Sequence, residues 1–247
     1  MGGKAILLVV VILAVAAATA ILYGRHRWES GTRDLLARLE GARRPVAPAK
    51  HDAREIESLP APVQRYFRKA LRDGRPMIAA VTVEHAGTFN MGETADNWRP
   101  FVSKQRVITR RFGFLWDARV RMAPGVSAYV HDAYVAGEGI LHATALGLVT
   151  VMDLRGTREV AEGELMRFFA EAAWYPTALL PSQGVRWEPV DGSSARATLV
   201  DGDIALTMLF TFDDAGLIAS TRAEARGRAL RARRQDNRRV AVMLYRS

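Results

Sequence analysis

Cysteine is absent from the 247 residues, which excludes disulfides, thiolate metal sites and cysteine nucleophiles. The short signatures that would announce a chemistry are absent too. No His-x-x-x-His or His-Glu-x-x-His fixes two zinc ligands on one helix face, and there is no Gly-x-Ser-x-Gly elbow, phosphate loop or dinucleotide fingerprint. Gly137-Glu138-Gly139 lacks the third glycine and the following helix of the last of these. The body of the chain also lacks charge of one sign. Of the net +9, residues 1–60 carry +3 and residues 222–247 carry +7, while residues 61–221 carry −1. A nucleic-acid binder bears its basic stripe on the folded domain, so this distribution argues against nucleic acid as a partner. The flanking arginines suit anionic lipid headgroups, at about 1 kcal/mol per basic residue near a surface. A solvated charge run explains them equally well.

What the chain does have is one long apolar run. Ala5–Tyr23 comprises nineteen residues without a charge, close to the length of helix that crosses a bilayer. A cleaved signal peptide is the competing reading, with Lys4 ahead of the run and Ala18-Thr19-Ala20 as a small-x-small cleavage site. The run continues through Ile21, Leu22 and Tyr23, which favours a retained single-pass anchor at the cell membrane. Arg25, Arg27, Arg33, Arg38, Arg43 and Arg44 follow it, but Glu29, Asp34 and Glu40 interleave with them, so the side of the membrane stays open. Glu29–Leu39 has Leu35, Leu36 and Leu39 on one helical face, a stripe suited to a membrane surface. Residues 5–23 thus form an anchor, and residues 24–57 a juxtamembrane helix and a Pro-containing linker.

From residue 58 to 226 the pattern predicts a mostly antiparallel α+β domain, a curved sheet or half-barrel with an inserted aromatic helix. Pro60 and Pro62 open a short helix carrying Val63, Tyr66 and Phe67. From Met77 the period is two: Val81, Val83, His85, Gly87 and Phe89 share one face. Phe114, Trp116, Ala118, Val120 and Met122 alternate with Asp117, Arg119 and Arg121. The inserted helix is expected over Glu162–Tyr175, stopped by Pro176. In Ile204–Phe212 every even position is large and apolar, marking a strand that faces a core.

Single residues offer little chemistry. His85 lies in phase with the apolar face of its strand, where a hydrogen-bonded neutral imidazole is the ordinary occupant. His131, Asp132 and His142 match no metal-ligand spacing, and His131 and Asp132 point to opposite faces of one strand. No cofactor and no metal are implied. The aromatic residues form the better lead. A curved sheet closed by a helix leaves an apolar cavity between them, for which His85, Phe89, Trp116, Phe168, Trp174, Tyr175 and Trp187 are the candidate lining. The expected partner is a membrane lipid or another apolar small molecule. One alternative is a hydrolase-like enzyme using His85 or His131 with a carboxylate; another is a protein-interaction scaffold at the membrane.

Three segments carry a resemblance: Leu59–Phe67 (LPAPVQRYF), Gly113–Met122 (GFLWDARVRM) and Trp174–Pro181 (WYPTALLP). Together they resemble a bacterial, membrane-associated family of unknown function, which implies no catalytic residues. The order of helix, strands, helix and strands is loosely similar to the half-barrels of envelope lipoprotein carriers, as an architectural analogy. After Arg226 the chain departs from that pattern, and residues 227–247 read as a basic tail produced by truncation or a change of frame.

Overall fold

The computed structural model describes residues 2–91 and 96–223; the expectation of an aberrant tail over 227–247 lies outside them. Among the described residues there are three α-helices, α1 (Gly2–Ala42), α2 (Ala61–Ala70) and α3 (Arg158–Glu171). Strands β1 (Ala80–Asn90), β2 (Trp98–Ile108), β3 (Gly113–Ala123), β4 (Val126–Val135), β5 (Glu138–Ala145) and β6 (Val149–Arg155) form one antiparallel meander in sequence order. Strands β7 (Arg186–Pro189), β8 (Ser194–Asp201), β9 (Ile204–Phe212) and β10 (Ile218–Ala223) form a second antiparallel sheet in the order β10-β9-β8-β7. The architecture is therefore α+β and mostly antiparallel, with neither sheet closed. The contacts separate two compact units, Met1–Val46 with Ala79–Phe168, and Ala47–Ile78 with Phe169–Ser247.

In the first unit α1 runs unbroken from the apolar span into the domain. The stripe that suited a membrane surface is taken up by the sheet instead. Leu39 is fully buried against Ile108, Leu115, Val135 and Ile140, with Leu35 and Leu36 packed beside it. Those partners alternate along their strands, so one face of the meander supplies an apolar bed at the end far from the span. At the near end Gly24 is buried, and a Cβ there would overlap the Leu146 carbonyl oxygen in the β5–β6 turn. Gly147, at φ +71°, makes the reciprocal approach to the Gly24 carbonyl. Two glycines thus let the helix backbone meet the hairpin backbone where the apolar span ends.

The opposite face of this sheet carries α3. Gly139 of β5 leaves room for the helix backbone at Val160 and Ala161, and Arg167 forms a close ion pair with Asp132. Thr157 caps the start, accepting from the Val160 amide at 3.3 Å, and Arg158 pairs with Glu162 at 2.9 Å. These local bonds begin the helix four residues before the position expected from the apolar spacing alone, at Glu162.

The second unit has an aromatic core of its own. Phe67 meets the Trp187 ring edge-on at 6.4 Å, Trp187 lies 5.1 Å from Phe210, and Phe169 lies 5.4 Å from Phe210. The even positions of β9 are all buried, as the alternation predicts. Helix α2 starts at Ala61 with Pro60 as its N-cap, and Val63, Tyr66 and Phe67 are buried.

Candidate functional site

The register of the first sheet brings together residues that are far apart in sequence. Glu84 faces Lys104, Lys104 faces Asp117, Asp117 faces His131, His131 faces His142, and His142 faces Asp153. One rung crossing all six strands is therefore built wholly of ionisable side chains, on the face that α1 crosses. Cross-strand pairs at this spacing interact directly, so alternating charge is favourable. Lys104 sits 3.5 Å from Glu84, and His142 Nδ1 sits 3.4 Å from Asp153.

Helix α1 covers the middle of that rung. The Trp28 indole stacks on the His131 ring at 3.8 Å and lies near-parallel to His142 at 5.7 Å. Its Nε1–H donates to Asp117 Oδ1 at 2.9 Å. One turn on, the Thr32 hydroxyl lies 2.7 Å from His131 Nε2 and donates to Asp117 Oδ2 at 3.1 Å. With the hydroxyl proton given to the carboxylate, His131 Nε2–H donates to Thr32, which fixes the tautomer. Burial pushes the His131 imidazole down to about 3, reinforced by the neighbouring His142 and Arg155 charges. Burial also raises the Asp117 carboxyl above its ordinary value, against the bonds from Trp28 and Thr32 that favour the anion. The cluster pairs a neutral imidazole with a carboxylate 3.7 Å away, under a fitted aromatic lid.

Because α1 crosses the sheet obliquely, it leaves the β1–β2 side of this face uncovered at the near end. A groove of about 520 Å³ lies there, between Arg25, Trp28 and Glu29 of the helix and Glu84, Ala86, Val102, Lys104, Arg119 and Tyr129 of the sheet. Its lining mixes apolar Ala86, Val102 and Ala118 and the Trp28 and Tyr129 rings with the polar His85, Ser103 and Asp117. Its rim carries charges of both signs: Arg25 pairs with Glu29 at 2.7 Å, Lys104 pairs with Glu84, and Arg119 donates to Ser127 at 3.1 Å. A smaller recess of about 350 Å³ lies in the second unit beside His51, whose Nδ1 is 3.1 Å from Glu55.

The candidate lining residues are dispersed. His85 borders the groove from β1, with Nδ1 3.1 Å from the Ser103 hydroxyl. Phe89 packs on Phe101, which packs on Trp116. Trp116 lies under the Arg167 guanidinium, 5.0 Å from the ring, with Phe114 beside it at 5.1 Å. Phe168 packs on Phe112 at 5.4 Å. The surface between α3 and the sheet is thus occupied at these positions by packed side chains. Trp174, Tyr175 and Trp187 belong to the second unit, where Tyr175 is fully buried, Trp187 donates to the Leu179 carbonyl at 2.9 Å and Trp174 is 44% exposed. Among the described residues, no three His, Asp or Glu side chains are arranged to hold a metal ion.

Trp28, Thr32 and Asp117 escape a reading by sequence. The indole and its carboxylate lie 89 residues apart, and no local spacing signals the pairing. The available hint is that Asp117 and His131 both occupy inward phases of strands on the face opposite Trp116.

The chain belongs to a family of unknown function, DUF6920, which it matches over residues 57–241. No curated protein and no solved structure matches it.

Proposed function

We propose that this DUF6920 member is a membrane-anchored lipid-binding protein, held by residues 5–23 of α1 and taking an amphipathic lipid into the groove between α1 and strands β1–β3. The observation that carries this reading is the place of the groove. It opens beside Arg25 and Trp28, immediately after the apolar run of α1, which among the described residues is the one helix long and apolar enough to cross a membrane. Its volume falls in the range of small-molecule sites. A lining that mixes Ala86, Val102 and two aromatic rings with charges of both signs suits the headgroup and glycerol region of a zwitterionic lipid. Trp28 and Tyr129 offer rings with one polar and one apolar end, the chemistry favoured where hydrocarbon meets water. The ligand enters sideways from the bilayer, without crossing water.

Native mass spectrometry from mild detergent tests the reading. The wild-type chain should retain a bound phospholipid mass that Ala86→Trp, which fills the groove from an exposed position, loses. Equal occupancy in both proteins, or none in either, contradicts it.

The hydrolase alternative has one observation in its favour, the 3.7 Å approach of His131 to Asp117. The Trp28 ring stacks on the imidazole, which is buried, so that only Asp117 of the pair lines the groove. Hydrolysis of short-chain esters that disappears in His131→Gln would support it over lipid holding.

A further inference from the structure

The six-stranded sheet has two ends, and one of them lies beside the point where the apolar run of α1 stops. At one end lie Met91 after β1 and Trp98 at the start of β2, the β3–β4 turn at Pro124-Gly125 and the β5–β6 turn at Leu146-Gly147. The residues beside these turns are apolar and open to solvent: Met91, Trp98 at 58%, Val126, and Val149 at 64%. The other end comprises residues 109–112, 136–137 and 156–157. There Phe112 is buried, and the exposed apolar side chains are those of the edge strand β6, whose Val151, Met152 and Leu154 continue the open row that begins at Val149.

Four exposed apolar side chains from three separate connections, all at one end, are costly to leave in water. The backbone contact of Gly24 with the β5–β6 turn fixes which way that end faces. The apolar helix up to Tyr23 is itself fully exposed along its length. Gly24 is the next residue, and it is buried on Leu146 and Gly147. Wherever Tyr23 meets the bilayer surface, the apolar end of the sheet meets it too. Trp98 is the residue type that settles at the headgroup level, and Arg25, Arg27 and Arg121 lie on the same side, placed for lipid phosphates.

We infer that the exposed side chains of Met91, Trp98, Val126 and Val149 insert into the interfacial layer of the bilayer, so that the sheet stands end-on in the membrane surface. Insertion of the kind made by interfacial segments reaches roughly 5–10 Å below the headgroups. The inference rests on α1 being a membrane anchor, and it adds a second, separate membrane contact made by the folded domain. It also sets the mouth of the groove at the depth where lipid glycerol lies.

The absence of cysteine makes the test direct. Single-cysteine variants Val126→Cys and Val149→Cys, with Val10→Cys in the span and Glu159→Cys at the start of α3, are labelled with an environment-sensitive fluorophore. Each full-length protein is reconstituted into phosphatidylcholine vesicles containing lipids with a nitroxide either high or deep on the acyl chain. The labels at 126 and 149 should lose emission about twofold or more with the shallow nitroxide, and the label at 10 with the deep one, while the label at 159 stays unchanged. Quenching at 10 with none at 126 and 149 overturns insertion of the sheet and leaves the anchor standing. No quenching at 10 overturns the anchor and, with it, the insertion that depends on it.

Discussion

His131 is the residue at which burial and charge meet most sharply. It is 3% exposed, stacked under Trp28, and held neutral down to about pH 3. The unfolded chain protonates the same ring at its ordinary value of 6.5. Between those values the unfolded state binds a proton that the folded state refuses, so stability falls as the pH drops through that window. The full effect is at most about 5 kcal/mol. Asp117 acts in the opposite sense. Its carboxyl is raised in the folded state, so just above 3.8 the folded protein binds the extra proton and gains stability toward acid. The His131 effect begins at the higher pH. The thermal midpoint in detergent is therefore expected to fall from pH 6.5 to pH 4.5 in the wild type and to fall less in His131→Gln. A parallel decline in both proteins would place the acid sensitivity elsewhere.

At the scale of elements, two junctions hold the first unit in order. The first is the backbone contact of α1 with the β5–β6 turn. Gly24→Ala puts a methyl group into the Leu146 carbonyl, which must move. Overpacking of this kind costs about 1–3 kcal/mol. Hydrogen exchange should show it first at the Leu146 and Leu148 amides, which donate to Ser127 and Ala145. Unchanged protection there would mean the turn adapts freely. The second junction is Arg167 of α3, paired with Asp132 and lying over Phe114 and Trp116. Removing one partner leaves a desolvated charge, so Arg167→Met should destabilise by about 3–5 kcal/mol. Adding Asp132→Asn should recover part of that loss in a double-mutant cycle, and strict additivity would show that the two side chains do not act together.

The elements themselves were largely legible in the chain. Alternation of Phe114, Trp116, Ala118 and Val120 with Asp117, Arg119 and Arg121 marks β3 because its two faces meet different surroundings. The even positions of β9 mark a strand over a core for the same reason. Element partners were not legible. Register joins Glu84 to Asp153 through five successive pairings, and no local pattern encodes a rung. The junction of the apolar run with a charged segment suggested separate helices, yet α1 continues because Gly24 and the following turns gain a sheet to pack on. Aromatic residues that looked like one lining serve two units, since composition does not say which core a ring belongs to.

For the molecule as a whole, the body of the chain is nearly neutral while its ends are basic, and several features of the first unit gather at the point where the apolar run of α1 stops. The groove, the aromatic pair Trp28 and Tyr129, and the exposed hairpin ends all lie toward Gly24. In the proposed reading, a lipid bound there is drawn from the bilayer. The most direct measurement is photo-crosslinking in nanodiscs containing a phospholipid with a photoreactive group high on its acyl chain, followed by peptide mass spectrometry. Adducts at Val102 and at Trp28 or Tyr129, reduced by Ala86→Trp, are the predicted result. Adducts confined to residues 5–23, with none on the sheet, would contradict the assignment of the groove as a lipid site.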